Sequence, residues 1–137
     1  GASQAYVDLR YPAVADTGLL LACLTSAREN RFPCHVGIVH SHESFYIDDN
    51  EEQKQFWAKK GVLCADMETA ALFTIGRLRG IKTASILNNV VISGTDTAGG
   101  IGGYVDGERA AAQGEKNEIL TALEAFVISE KNKKASD

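Results

Sequence analysis

Three groups of residues have the types and spacing to do chemistry. The first is Asp66-Met67-Glu68, two carboxylates around a thioether, set just ahead of an apolar run of helical period. A carboxylate at a helix N-terminus is favoured by the free amides and partial positive charge there, by about 0.3–1 kcal/mol. On residue types alone that is a complete structural account, since Asp is a good cap and Glu is common in a first turn. The second group is His40-Ser41-His42, whose imidazoles suit acid–base work or metal binding. No Cys or carboxylate completes a ligand set around them at the usual spacing, so they are assigned to the edge of a pocket and no metal site is expected. The third is the glycine-rich stretch Gly94, Gly99, Gly100, Gly102 and Gly103, with Asp96 inside it. It lacks the Lys-Ser/Thr ending of a phosphate-cradling loop and does not directly follow a strand, so residues 93–103 read as a substrate lid or a plain surface loop. Gly94 would allow Asp96 to swing inward, but no acid role is assigned to it.

These groups need elements to hold them. Residues 1–16 read as loop, with Asp16 or Thr17 capping a helix over 18–30 whose Leu20, Cys23, Leu24 and Ala27 share one face. Pro33 forbids its continuation. Cys34–Val39, rich in Val and Ile, reads as a buried strand that delivers His40, Ser41 and His42 into a loop. A polar surface helix follows over 50–60, with Phe56 and Trp57 on one side and Gly61 ending it. Val62–Ala65 is a brief strand. From Asp66 a helix carries Met67, Ala70, Ala71, Ile75 and Leu78 to a stop at Gly80. Residues 83–92 are almost continuously apolar, as a central strand covered on both faces would be. A last helix over 108–129 bears a stripe of Ile119, Leu120, Leu123, Phe126 and Val127. Strand, helix and strand alternate, which predicts an α/β fold.

Composition narrows the function classes. With 137 residues, 45% hydrophobic, the chain is long enough for one small domain with a core. A net charge of -4 with scattered Lys and Arg argues against nucleic-acid binding, and no apolar run approaches the ~18–20 residues of a membrane span. The N-terminus lacks a secretory layout, and Cys23, Cys34 and Cys64 lie among apolar neighbours, which predicts buried reduced thiols and a cytoplasmic protein. Gly1-Ala2-Ser3-Gln4 has no starting methionine and no capping signal, so the chain is expected to begin partway through a longer protein.

Four stretches in one order carry a resemblance: Tyr11-Pro12-Ala13-Val14-Ala15-Asp16, His35-Val36-Gly37-Ile38-Val39, Ser44-Phe45-Tyr46, and Gly61 through Leu72 with Asp66-Met67-Glu68 inside it. Together they resemble the nucleoside phosphorylase family that includes uridine and hexameric purine nucleoside phosphorylases. The resemblance implies a three-layer α/β/α fold, a central mixed sheet flanked by helices. Residues 1–129 would be the C-terminal part of one such domain and 130–137 a charged tail. It implies that Glu68 accepts hydrogen bonds from ribose hydroxyls, that Met67 packs on the sugar, and that Asp66, where the family usually has Glu, joins them. An ionised carboxylate can take two hydroxyl donors at once, and a fixed sugar favours the geometry from which the glycosidic bond breaks. Phe45 matches an aromatic that stacks on the base; its alternative is core packing.

Base identity is less directly written. Uridine phosphorylases carry a Gln and an Arg shortly after that aromatic, where this chain has Ile47-Asp48-Asp49-Asn50-Glu51. Purine-type relatives carry a Ser-Asp pair where this chain reads Asn89-Val90-Val91-Ile92, an apolar ending nearer the uridine branch that puts Val90 and Val91 beside the base. The phosphate-binding arginines of the family precede the position that Gly1 matches. The expectation is therefore a pentosyltransferase that uses inorganic phosphate as co-substrate and no cofactor, acts on a uridine-like nucleoside, and works as a dimer or hexamer, the 137 residues alone being inactive without their N-terminal half. A purine phosphorylase, a hydrolytic nucleosidase and a non-catalytic nucleoside-binding or assembly piece are the alternatives.

Overall fold

The computed structural model describes residues 2–44, 47–89 and 100–135. The chain divides into two compact units, Gly1–Thr17 with His35–Ser85, and Gly18–Cys34 with Ile86–Asp137.

The first unit is built on a strand–helix–strand crossover. β1 (Ile38–Ser41), α2 (Asn50–Ala58) and β2 (Val62–Asp66) follow one another, α1 lying earlier in the chain at Thr17–Glu29. The two strands pair in parallel, Ile38 with Val62, Val39 with Cys64, His40 with Ala65 and Ser41 with Asp66, with an irregularity between Ile38 and Val39. Parallel neighbours need such a long connection, and α2 supplies it. α2 buries none of its residues, as expected of a polar surface helix, and Gly61 closes the turn after it with φ +81°. A β-carbon at that φ is strained, which is why glycine stands there.

α3 (Thr69–Leu78) follows β2 and buries Thr69, Thr74 and Gly76. It ends in a Schellman closure: the Ile81 N–H returns to the Gly76 carbonyl at 2.8 Å and the Gly80 N–H to Arg77 at 3.2 Å, with Gly80 at φ +68°. The chain then runs back along α3, and the Asp16 N–H donates to the Thr83 carbonyl at 2.8 Å. This return needs Gly76, since a β-carbon there would stand 2.4 Å from Thr83 Cγ2.

In the second unit α1 carries the helix expected over 18–30, with Leu19, Ala22, Ser26 and Ala27 buried. Ser26 Oγ donates to Glu124 Oε2 at 2.8 Å, and the Asn30 amide donates to the same oxygen. Glu124 lies on α4 (Gly100–Lys134), where Thr121 and Ala125 are buried among the described residues.

Several expectations are corrected. The first strand is not Cys34–Val39 but Ile38–Ser41, so His40 and Ser41 belong to the strand itself. The reason is register: Val62, the first residue of β2, pairs with Ile38, and residues 34–37 have no ladder partner among the described residues beyond the turn at Gly61. The α3 helix does not begin at Asp66; the ladder runs on through a His42 N–H to Asp66 carbonyl bond at 2.9 Å, which keeps Asp66 extended. Residues 83–89 form no strand, because no ladder partner lies beside them among the described residues. Residues 90–99, and with them most of the expected 93–103 loop, lie outside the described residues, but α4 already begins at Gly100 and continues through Lys134, so residues 130–134 of the expected charged tail are helical and exposed. The thiols are free but not fully buried: Cys34 is exposed, and Cys23 and Cys64 are half-buried. Among the described residues no helix is long and apolar enough to cross a membrane.

Candidate functional site at the carboxyl ends of the parallel strands

In an open α/β sheet, ligands bind outside the carboxyl ends of the strands, where the loops and helix starts converge. Here β1 ends at Ser41 and β2 at Asp66, and the two are direct partners in the ladder. Side chains alternate along a strand. Ser41 therefore points to one face, where it meets the start of α3, while His40 points to the other, where its ring stacks on Trp57 of α2 with centroids 4.3 Å apart. His42 lies on the His40 side, ring centroids 5.8 Å apart, and its Nδ1 is 2.9 Å from the Ser44 carbonyl.

The α3 face is a connected network. Ser41 Oγ donates to Asp66 Oδ1 at 2.6 Å and accepts the Ala70 N–H at 2.9 Å. Asp66 Oδ2 accepts the Thr69 N–H at 2.8 Å and also the Thr69 hydroxyl. A hydroxyl has one proton. Since Thr69 gives its own to Asp66, the 3.0 Å contact between Thr69 Oγ1 and Ser85 Oγ has Ser85 as the donor. Burial of Asp66 works against its charge, but the hydrogen bonds from Ser41 and Thr69 outweigh it and hold the carboxyl below the usual carboxylate range.

Met67 and Glu68 sit between these anchors and point differently. Met67 is 43% exposed and Glu68 is exposed. Glu68 occupies the N-cap position of α3 without bonding the helix amides through its side chain. Among the described residues its carboxylate is paired with the Met67 N–H at 3.2 Å, which leaves acceptor capacity for a hydroxyl-bearing ligand. The pair of acids has thus divided: Asp66 faces inward as a structural acceptor, and Glu68 faces out.

His40 titrates low. Burial disfavours its charged form first, the His42 charge adds to this, and Asp66 opposes both. A neutral imidazole flat against an indole suits a pocket wall. Among the described residues no group of three or more His, Cys, Asp or Glu could hold a metal ion.

The structure thus brings Asp66, Met67 and Glu68 together with His40 and His42 at one end of the sheet. Phe45, Val90 and Val91, expected on the base side, and Tyr46 lie outside the described residues. Thr69 and Ser85 were not singled out from sequence. The signal for Thr69 was present in Asp66-x-x-Thr69, the spacing at which an Asp side chain reaches an amide three residues on. Nothing local marks Ser85.

The same chain matches the family model described as the phosphorylase superfamily over residues 1–126. Its backbone resembles a uridine phosphorylase from Vibrio fischeri ES114 with a TM-score of 0.84 and 44% identity, covering 91% of this chain and 50% of that one. It is similar to a DeoD-type purine nucleoside phosphorylase of Clostridium perfringens, 40% identical over 79 residues, or 58% of this chain and 33% of that protein. A guanosine phosphorylase of Halorubrum lacusprofundi is 31% identical over 86 residues, 63% of this chain and 35% of that protein. The chain spans about a third to a half of the length of these relatives.

Proposed function

Because the chain belongs to the phosphorylase superfamily, we propose that the protein it represents cleaves the N-glycosidic bond of a nucleoside with inorganic phosphate, yielding free base and ribose 1-phosphate. The observation that carries this reading is the exposed Glu68 carboxylate beside Met67, at the carboxyl ends of two parallel strands in a fold shared with a uridine phosphorylase. Glu68 accepts the ribose hydroxyls and Met67 covers the sugar with an adaptable apolar surface. Holding the sugar lets binding energy favour the oxocarbenium-like state as the base departs and phosphate attacks the anomeric carbon.

Phosphate is a co-substrate and no cofactor is required. A dianion so close to the sugar needs Arg and backbone donors, which by the family resemblance come from a part of the enzyme outside these 137 residues. Phe45, Val90 and Val91 are assigned by the family resemblance to contacts with the base. The enzyme is a cytoplasmic homo-oligomer, dimer or hexamer, without nucleic-acid or membrane partners.

Uridine-like nucleosides are the proposed substrates, supported by 44% identity to the Vibrio uridine phosphorylase across 91% of the chain and by the apolar Val90-Val91-Ile92. A purine nucleoside is the second reading, favoured by the 40% identity to a purine nucleoside phosphorylase. The test is base release by the full-length protein from uridine, thymidine, inosine, guanosine and adenosine, with and without phosphate. Phosphate-dependent release, greatest with uridine, is expected. Equal release in water alone would make the protein a hydrolase, and no release from any nucleoside would make it a binding protein.

A further inference from the structure

Asp66 and Glu68 are two residues apart, yet Glu68 is exposed while Asp66 is half-buried and bonded to its neighbours. The difference lies in what surrounds Asp66. Its Oδ1 takes the Ser41 hydroxyl at 2.6 Å, and its Oδ2 takes the Thr69 N–H at 2.8 Å and the Thr69 hydroxyl. Ser41 in turn accepts the Ala70 N–H at 2.9 Å, and Thr69, only 6% exposed, is backed by Ser85 at 3.0 Å. The segment Met67-Glu68 therefore hangs between a carboxylate fixed at its front and a threonine and an alanine amide fixed at its back.

We propose that Ser41 and Thr69, acting through Asp66, are positioning residues that set the place and direction of the Glu68 carboxylate toward the sugar. This rests on the reading of Glu68 as the ribose acceptor. Three features support it. Ser41 and Asp66 are ladder partners, so their bond ties the ends of both strands at one level. Every donor in the network has a single assigned acceptor, so the arrangement has one proton pattern and does not slip between alternatives. And Glu68 makes no side-chain cap bond to α3, so its direction is set by the backbone on either side of it. On this reading Asp66 acts mainly through its bonds to Ser41 and Thr69.

A displacement of about 1 Å in a substrate-holding group can cost up to about 100-fold in rate. The test uses the full-length protein and the best ribonucleoside of a substrate panel, together with its 2′-deoxy analogue. Ser41→Ala and Thr69→Val are compared with Thr69→Ser, which keeps the hydroxyl, and with Glu68→Gln. The expected result is a fall in kcat/KM of about tenfold or more for the ribonucleoside in Ser41→Ala and Thr69→Val, with a clearly smaller fall for the 2′-deoxy analogue, and near wild-type values for Thr69→Ser. General loss of folding would lower both substrates together and would overturn the proposal, as would unchanged ribonucleoside kinetics in Ser41→Ala. If the two variants are normal while Glu68→Gln is impaired, the positioning role is wrong and the ribose reading stands. If the wild-type protein releases no base from any nucleoside, the ribose reading fails and the positioning role falls with it.

Discussion

Gly76→Ala should destabilise this protein, against the usual sign for a helix interior. Alanine in place of glycine in a helix ordinarily gains about 1 kcal/mol. At Gly76 the added β-carbon would lie 2.4 Å from Thr83 Cγ2 and 3.3 Å from both the Ile81 carbonyl oxygen and Thr83 Oγ1. Carbon atoms pack at about 3.5–4.0 Å, so the return segment must move away from α3 by more than an ångström, and overpacking of this kind costs about 1–3 kcal/mol. The balance is a net loss of about 1 kcal/mol. The assay is urea unfolding followed by the fluorescence of Trp57, the single tryptophan. Thr83→Ser removes the methyl group in the way, so the double variant should recover much of the loss, with a coupling of about 1 kcal/mol in the cycle. A Gly76→Ala protein more stable than wild type, or a coupling near zero, would mean that Gly76 and Thr83 are not in the close contact described. The result also bears on the site, because this close approach carries the chain back to Ser85 and its bond to Thr69.

Acid should weaken the fold in two stages. The folded His40 holds its proton less well than the unfolded chain, so its contribution is fully present above the ordinary value near 6.5 and declines as pH falls below it toward the folded pKa. Asp66, depressed by Ser41 and Thr69 despite its burial, contributes above the ordinary value near 3.9 and loses that contribution as pH falls through its folded pKa. Urea midpoints measured against pH should show the first stage in wild type and not in His40→Gln; persistence of the same step in the variant would count against the assignment. In the second unit, Glu124→Ala strands the fully buried Ser26 hydroxyl and one N–H of the Asn30 amide, whose other bond to the Ser26 carbonyl remains, and should cost about 1–3 kcal/mol in the same unfolding assay. A change within experimental error there would mean that the bonds are made equally well to water.

How much of this could be read beforehand depended on whether the cause was local. The 18–30 helix, the polar helix ended by Gly61 and the stop at Gly80 follow from caps, period and positive-φ glycines, all contained in a few residues. The bounds of β1 did not, because they are set by where β2 begins, and register is a property of two segments. The apolar run 83–92 has the composition of a central strand, but a strand also needs partners, and none flanks residues 83–89 among the described residues. On α4 the stripe Ile119, Leu123 and Phe126 has the helical period foreseen, yet these residues are more than half exposed, while among the described residues the buried positions are the small Thr121 and Ala125. Periodicity identified the element and not the face it buries. At the site, Asp66-Met67-Glu68 was visible at once, whereas the different surroundings of its two acids were not. Those are decided by Ser41, twenty-five residues away in sequence and adjacent only through the parallel ladder.

The central claim is that Glu68 grips the ribose during phosphate-dependent cleavage. Its most direct test is kcat/KM for a ribonucleoside and its 2′-deoxy analogue, with phosphate present, in wild-type full-length protein and in Glu68→Gln. Loss of a charged acceptor for a hydroxyl is worth about 1.5–3 kcal/mol, or about 10- to 100-fold. The expected result is a wild-type preference for the ribonucleoside that Glu68→Gln reduces by about that factor. An unchanged ratio between the two substrates in Glu68→Gln would contradict it.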